Sequence, residues 1–319
     1  MKEDISNKKT SKKGLTQARR NKLIFYSILI AFPVLHYLVF YVYINFNSFI
    51  LAFREYYVDS DLGVFTYRLV GFDNFLEALK ILKTESLAVG NSFLLLAIQL
   101  FITTPLALLF SFYIYKKCPG TEFFRVMLFL PSVLSAVVFG LLYRYICGDV
   151  AVYIQEQLFH VEKGVNLLTD PSHQLFTVII FNILMGFGVS VLTYSGTMSG
   201  INISLIESAE LDGCNPLQEF IKIVIPMIWP TVVTLMIVSF SRVFTEQWQV
   251  YTLLQDTPGN ATNLGYYLYA RALYGSLEQS GNNVAYTVLS ALGLILTVLV
   301  LPATMIMRWA LNKYGPKAD

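Results

Sequence analysis

The sequence predicts an all-α integral membrane protein that crosses the bilayer six times. Of its 319 residues, 55% are hydrophobic and only 14% are charged, whereas soluble domains carry about 25% charged residues. Six stretches lack Asp, Glu, Lys and Arg, and each is long enough to cross about 30 Å of hydrocarbon once as a helix. These stretches are 23–53, 86–115, 126–143, 171–206, 223–241 and 279–307.

Composition and missing motifs exclude several classes of protein. A net charge of +2 argues against a nucleic-acid partner, and 15% aromatic residues argue against disorder. The cysteines, Cys118, Cys147 and Cys214, lack the spacing of metal ligands, so we expect no metal site. No G-x4-G-K-[ST] phosphate loop and no H-E-x-x-H motif occur. We therefore expect no cofactor in this chain and no enzymatic activity.

The chain divides into a basic tail and one membrane domain. Residues 1–22 are polar and basic, and residues 23–319 contain all the apolar stretches. The first stretch is much longer than the apolar core of a cleavable signal peptide, which has about 7–15 residues, so it is expected to remain as a helix. The predicted spans lie near 23–50, 86–115, 124–146, 172–197, 223–253 and 281–310.

Basic residues predict the orientation of the spans. Lys and Arg are concentrated in the tail, in the turn that holds Lys116, Lys117 and Arg125, and beyond Arg308. Cytoplasmic segments carry this excess in membrane proteins. Both termini and the 200–222 loop are therefore predicted to be cytoplasmic.

The first outer loop, 54–85, is predicted to contain a short helix. Phe72, Phe75, Leu76, Leu79 and Leu82 recur at helical spacing after Gly71. The helix either packs against the bundle, which we favour, or contacts an external partner.

The cytoplasmic loop 200–222 predicts two short capped helices. Ser204 followed by Glu207 is a capping-box pattern, so the first helix is predicted to start at Ser204. Gly213 can adopt the left-handed conformation that ends a helix. Asn215 can cap the second helix, with Pro216 at its first position and Gln218 completing another capping box.

A pattern in this loop resembles that of a known family. Glu207-Ser208-Ala209-x3-Gly213-x9-Ile223-x-Ile225-Pro226 resembles the EAA motif of type I ABC importer permeases, E-A-A-x3-G-x9-I-x-L-P. Gly71–Phe75, Arg125–Pro131 and 251–269 resemble further segments of its carbohydrate branch, which includes the smaller maltose-type and glycerol-phosphate-type permeases. Asp256-Thr257, Trp248-Gln249 and Asn202 depart from that pattern.

The resemblance implies the type I ABC importer permease fold and a set of partners in the lipid bilayer of the bacterial cytoplasmic membrane. A second permease chain, expected to form a heterodimer, would complete the pathway. Two ABC ATPase subunits would bind ATP–Mg, and an extracellular solute-binding protein would deliver the solute. The residues implied in coupling to the ATPase are Glu207, Ser208, Ala209, Glu210, Asp212, Gly213, Ile223 and Pro226.

Three of these residues also have purely structural interpretations. Glu207 can cap its own helix, and Gly213 can serve only the backbone turn. Pro226 can mark the start of a helix, which we favour over a gating kink.

Polar residues in and near spans four and five are candidates for the solute pathway. Arg242 and Glu246 are four residues apart, which places them on one face if the helix continues. The full set is Asn182, Tyr194, Ser195, Arg242, Glu246, Gln247, Trp248 and Gln249. Hydrogen bonding between helices is the competing interpretation of each residue, and the partner permease can hold the whole site.

The resulting prediction is a permease subunit that forms half the pathway of an ATP-driven importer for an oligosaccharide. Glycerol phosphate and a polyamine are alternative solutes. A secondary transporter or a membrane-embedded enzyme would be a different class of protein, and either would act without partners.

Overall fold

The computed structural model describes residues 17–58, 65–274 and 286–316. Within these ranges, six helices are long and apolar enough to cross a membrane, so the predicted all-α six-span fold is confirmed. In order, we call them span one (Arg19–Leu51), span two (Ser86–Tyr115), span three (Ala136–Gln157), span four (Gln174–Met198), span five (Pro216–Ser241) and span six (Tyr286–Tyr314). The orientation of the termini remains a prediction.

The described residues 17–51 form a compact unit of their own, and a second unit begins at Ala52. The helix of the first unit runs through Gln17–Tyr37, the π-helical segment Leu38–Tyr43 and Ile44–Leu51. The helix therefore begins inside the predicted basic tail, at Gln17. The segment Gln17–Lys22 contains mostly good helix formers and no Gly or Pro, so nothing stops the helix before the apolar stretch begins.

The first outer loop contains a strand pair and the predicted short helix. Strands Arg54–Val58 and Phe65–Leu69 pair antiparallel. The outer helix, Asp73–Thr84, buries Ala78 and Ile81 and packs against span six. This contact supports packing on the bundle as the role of the helix.

The predicted third span, 124–146, is wrong because it crosses a break between two helices. An entry helix, Thr121–Val133, ends where Leu134 and Ser135 are extended, and span three begins at Ala136. Pro131 lacks a backbone N–H and thereby weakens the last turn of the entry helix. Span three itself comprises Ala136–Tyr145, the π-helical segment Ile146–Val150 and Ala151–Gln157.

The predicted fifth span, 223–253, is too long at its outer end. The helix stops at Ser241, and a short pocket helix follows at Val250–Leu254. The intervening connection, 242–249, ends with Trp248 and Gln249 at φ values of 52° and 55°. The amide of Asn182 donates a 2.6 Å hydrogen bond to the Trp248 carbonyl. A contact with span four thus stabilises a conformation that local sequence does not favour.

The remaining elements connect and complete the spans. Span two comprises Ser86–Ile98, the π-helical segment Gln99–Thr103 and Thr104–Tyr115. Span five begins with Pro216–Glu219 and the π-helical segment Phe220–Val224 before Ile225–Ser241. The other helices are Ile203–Leu211, which we call the coupling helix after its predicted role, a 3₁₀ turn (Gly259–Ala261) and the loop helix (Leu264–Tyr274).

Spans two, four and five share a buried apolar core near the ends that are predicted to be cytoplasmic. Tyr194 and Met198 from span four contact this core, as do Ile206 from the coupling helix and Phe220 from span five. The coupling helix is therefore anchored to the bundle by a buried side chain.

Candidate functional site

The coupling helix begins one residue before the predicted start. Asn202 is its N-cap, and the Ser204 N–H donates to the Asn202 Oδ1 atom at 3.1 Å. The predicted Ser204–Glu207 capping box is therefore wrong, and the interpretation of Glu207 as a cap is wrong with it. The Asn202 side chain thus accepts from the Ser204 N–H group, which in the capping box would have donated to the Glu207 side chain.

The turn after the coupling helix depends on Gly213. Its φ is +80°, and a Cβ added there would meet no atom within 4 Å. The N–H groups of Gly213 and Cys214 donate to the Glu210 and Ala209 carbonyls, both at 3.0 Å. Gly213 is thus required by backbone conformation rather than by close packing.

The second helix of the loop has the predicted capping box. The Gln218 N–H donates to Asn215 Oδ1 at 2.8 Å, and the Asn215 N–H donates to Gln218 Oε1 at 3.1 Å. This helix continues directly into span five, so Pro226 lies inside a helix rather than at its start. The π-helical segment Phe220–Val224, which contains Ile223, precedes Pro226. Its wider turn makes room for the proline ring, which would clash with the preceding turn of a regular α-helix.

The coupling helix buries one face and exposes an acidic one. Ile206 is 7% exposed, whereas Leu211 is 89% exposed. The residues on the exposed surface are Glu207, Ser208, Glu210, Leu211 and Asp212, with Ala209 half-buried beside them. An exposed leucine surrounded by carboxylates is a surface that can dock into an apolar groove with a basic rim.

A pocket of about 350 Å³ lies between spans two, four and five and the 242–249 connection. Its walls combine amides, an ion pair, an indole and aliphatic groups. The lining residues are Gln99, Asn182, Met185, Gly186, Val238, Ser239, Arg242, Glu246, Trp248 and Gln249. Gln99 and Gly186 lie near the middle of spans two and four, so the pocket reaches deep into the bundle.

Several polar atoms in the pocket remain open to a ligand. Arg242 Nη1 and Glu246 Oε2 are 3.9 Å apart, which is a weak ion pair. Asn182 donates to the Val178 and Trp248 carbonyls, and its Oδ1 atom is left to accept. Gln249 Oε1 accepts from Thr252 Oγ1, and its amide NH₂ is left to donate. The Trp248 Nε1–H group also lacks a hydrogen-bond partner, but it is buried and so is not open to a ligand in this conformation.

The sequence of residues 88–317 matches the family model of binding-protein-dependent transport system inner membrane components. This match covers most of the chain. The chain belongs to this family. Its multi-pass transport permease character, predicted from the EAA-like motif, is confirmed. The family is one of transport components, which agrees with the prediction that the chain is not an enzyme.

The names of similar proteins mention different solutes. The arabinooligosaccharides transport system permease protein AraP of Bacillus subtilis (strain 168) is 24% identical over 283 residues, which cover 86% of this chain and 84% of AraP. The sn-glycerol-3-phosphate permease UgpA of Escherichia coli O157:H7 is 23% identical, with coverages of 74% and 80%. The maltose/maltodextrin permease MalF of Salmonella typhimurium is 26% identical over 58% of this chain and 37% of MalF.

A solved structure has the same fold as this permease. It is a crystal structure of a bacterial alginate ABC transporter in complex with an alginate pentasaccharide-bound periplasmic protein. The TM-score is 0.73 at 19% identity, over 94% of this chain and 98% of that chain. The predicted ABC importer permease fold is therefore confirmed.

The pocket of the permease contains five of the eight predicted solute-pathway residues. Tyr194 and Ser195 are instead buried in the C-terminal half of span four, away from the pocket lining. Gln247 also does not line it, and the Gln247 carbonyl accepts from Asn263 Nδ2 at 3.0 Å. Arg242 and Glu246 line the pocket and pair with each other, as their spacing of four predicted. They lie beyond the end of span five, in a turn where the Glu246 N–H donates to the Arg242 carbonyl at 2.9 Å.

Sequence reasoning missed the pocket residues of span two. Gln99 is the residue in the middle of that span whose long amide would be costly in lipid, and this polarity is the signal that could have found it. Gly186 was not recognised as a pocket residue either, and a Cβ there would meet no atom within 4 Å. Over the described ranges, no group of three or more His, Cys, Asp or Glu side chains could hold a metal ion.

Proposed function

We propose that this permease is half of the translocation pathway of an ATP-driven, binding-protein-dependent importer for an oligosaccharide. The exposed acidic face of the coupling helix carries the proposal. It would dock into a groove of an ABC ATPase, with Leu211 as the apolar anchor and Glu207 paired with a basic side chain of that ATPase. ATP binding would then move the coupling helix and switch the spans between inward-facing and outward-facing states.

The pocket supports a carbohydrate as the solute. Sugars offer hydroxyl groups that need both donors and acceptors, and ring faces that stack on aromatic groups. Asn182, Gln249 and Glu246 supply the polar groups, and Trp248 supplies the indole. The names of AraP and MalF, and the alginate oligosaccharide of the solved transporter, favour the same class of solute.

The proposal assigns partners and a location to the permease. A second permease chain would complete the pathway as a heterodimer, and an extracellular binding protein would deliver the solute. Two ATPase subunits would hold ATP–Mg on the inner side. The complex would lie in a bacterial cytoplasmic membrane, with both termini of this chain inside.

An anionic solute is the second candidate, because Arg242 lines the pocket and its side chain is 64% exposed. Glycerol phosphate would take this position, in line with the name of UgpA. Uptake by proteoliposomes that contain the whole transporter distinguishes the two solutes. Arg242→Gln should leave oligosaccharide uptake unchanged, whereas it should lower glycerol phosphate uptake by about tenfold or more.

Affinity purification of the tagged permease from its native membrane tests the proposal. An ABC ATPase and a second six-span chain are expected to co-purify. Glu207→Lys should reduce the recovered ATPase about tenfold, because a like charge would face the basic rim, and should leave the second permease bound. Glu122→Lys, which changes another exposed carboxylate, is the matched control and should retain both partners. Purification of the permease alone, or ATP-independent transport by it, contradicts the proposal.

A further inference from the structure

Lys116 joins three elements at the predicted cytoplasmic end of the permease. It is the residue directly after span two. Its Nζ atom lies 2.7 Å from Glu219 Oε2, at the start of span five, and 3.1 Å from Glu210 Oε1, on the coupling helix. One ammonium group therefore bridges span two, span five and the coupling helix.

The two ion pairs differ strongly in burial. Glu219 is 2% exposed, and its second carboxylate oxygen has no hydrogen-bond partner. The Glu210 side chain is 58% exposed. A buried carboxylate depends on its partner because the loss of that partner leaves an uncompensated charge, whereas an exposed pair contributes little. Lys116–Glu219 is therefore the fixed part of the cluster, and Lys116–Glu210 is the adjustable part.

The protonation of Lys116 agrees with this geometry. Burial lowers its pKa, but the hydrogen bonds that it donates to the Glu219 and Glu210 carboxylates, together with their charges, outweigh burial, so that its pKa is raised above the ordinary value of 10.5. A raised pKa means that the contribution of the pairs to stability is fully present below pH 10.5 and is lost as the pH rises through the raised value. Lys116 thus carries its positive charge at every physiological pH.

Apolar contacts beneath the cluster connect the same elements. Ile114 of span two, Ile206 of the coupling helix and Phe220 of span five belong to one buried core. The rings of Phe112 and Phe220 have centroids 4.9 Å apart. Span two then continues without a break from Tyr115 to Gln99 in the pocket, over about 24 Å of helix.

We infer that Lys116 is a positioning residue that ties span two to the start of span five through Glu219 and to the coupling helix through Glu210, so that displacement of the coupling helix is transmitted through span two to the pocket at Gln99. This inference rests on the proposed function, because it specifies how coupling to the ATPase reaches the pathway. Without the bridge, the coupling helix still binds its ATPase, but span two no longer follows its movement.

A labelling experiment on the assembled transporter tests this inference without knowledge of the solute. Gln99→Cys is introduced after Cys118, Cys147 and Cys214 are replaced by serine, and its reaction rate with a water-soluble maleimide is measured with and without ATP–Mg. In the Gln99→Cys variant that retains Lys116, which we call the Lys116 background, we expect ATP to change the labelling rate by about fivefold or more. In Lys116→Met the change should fall below about twofold, although the ATPase still co-purifies.

Two further variants separate positioning from folding. Lys117→Met removes the exposed neighbouring lysine and should behave as the Lys116 background. Lys116→Met with Glu219→Met leaves no buried charge, so it should assemble even where Lys116→Met alone does not, and it should still lack the ATP-dependent change. A double variant that assembles and responds to ATP normally overturns the inference. If ATP does not change the labelling rate even in the Lys116 background, that result contradicts the proposed function rather than this inference.

Discussion

Gly188 is a residue at which two helix backbones meet. A Cβ there would overlap the carbonyl oxygen of Leu128, on the entry helix. The other glycines of span four lack such a neighbour: an added Cβ meets nothing within 4 Å at Gly186 or Gly196. A sequence pattern of small residues therefore predicts that helices approach closely, but only the contact itself identifies which glycine is responsible.

Gly188→Ala should lower the free energy of unfolding by about 1–3 kcal/mol, because the added methyl group must displace backbone rather than a side chain. The thermal unfolding midpoint in detergent measures the effect. Gly196→Ala is the control and should be neutral or slightly stabilising, because alanine has the higher helix propensity. Equal midpoints for Gly188→Ala and the unaltered permease would show that the entry helix shifts without cost.

Leu211 illustrates a residue whose role lies outside its own chain. Because its side chain is 89% exposed, Leu211→Ala should change the stability of the permease by less than about 0.5 kcal/mol. The retention of the ATPase during purification should nevertheless fall about tenfold, as expected for an anchor residue. Leu158→Ala, at a 70% exposed leucine after span three, should alter neither quantity, and a similar loss with that variant would mean that Leu211 has no specific role.

At the scale of elements, some helix ends could be predicted from the sequence and others could not. The Asn215–Gln218 capping box was predictable because its two partners are three residues apart. The end of span five at Ser241 was not, because no Gly or Pro lies nearby and the conformation of Trp248 depends on Asn182, 66 residues earlier. Local signals thus predict capped ends, whereas ends formed by contacts between helices need the assembled bundle.

The loop between the pocket helix and the loop helix depends on similar distant contacts. Asn91 of span two donates to the Asn260 and Thr262 carbonyls at 2.8 and 2.7 Å. Gln174 of span four accepts from the Asn260 N–H at 3.0 Å and donates to the Thr257 carbonyl at 3.2 Å. Spans two and four therefore hold this loop from both sides.

Asn91→Leu should release the loop. The substitution keeps the size of the side chain but leaves two carbonyls without their donor, which costs about 2 kcal/mol. Hydrogen–deuterium exchange at 257–264 should accelerate about tenfold or more. Asn45→Leu, which removes a bond within a single helix at an exposed position, should not affect this loop. Unchanged exchange in Asn91→Leu would show that Gln174 alone holds it.

At the scale of the whole molecule, composition predicted the six spans and one motif predicted the family. The pocket was only partly predictable. Asn182, Arg242 and Glu246 were found because polar groups stand out against apolar spans. Gln99 was missed because its significance depends on which helices surround span two. Tyr194 was predicted to belong with the pathway residues but does not line the pocket, because apolar neighbours from other spans enclose it. Assembly of helices is therefore the step that sequence patterns describe least well.

The predicted orientation of the whole permease can be tested with its own cysteines. Cys118 and Cys214 are partly exposed, and Cys147 is buried. In right-side-out vesicles, a membrane-impermeant maleimide should label none of them, and permeabilisation should expose Cys118 and Cys214. Leu158→Cys is the positive control, because it should react before permeabilisation. Labelling of Cys214 in sealed vesicles would invert the predicted topology.

The distant polar contacts of Asn91 have a consequence for biosynthesis. Asn91 enters the membrane early in translation, yet its two acceptors, at 260 and 262, emerge from the ribosome about 170 residues later, since the sequence separations are 169 and 171. Until then its amide lacks these partners in an apolar environment, which is unfavourable. A nascent chain arrested before residue 260 would keep that amide without its native acceptors, and the truncated product would lack this source of stability.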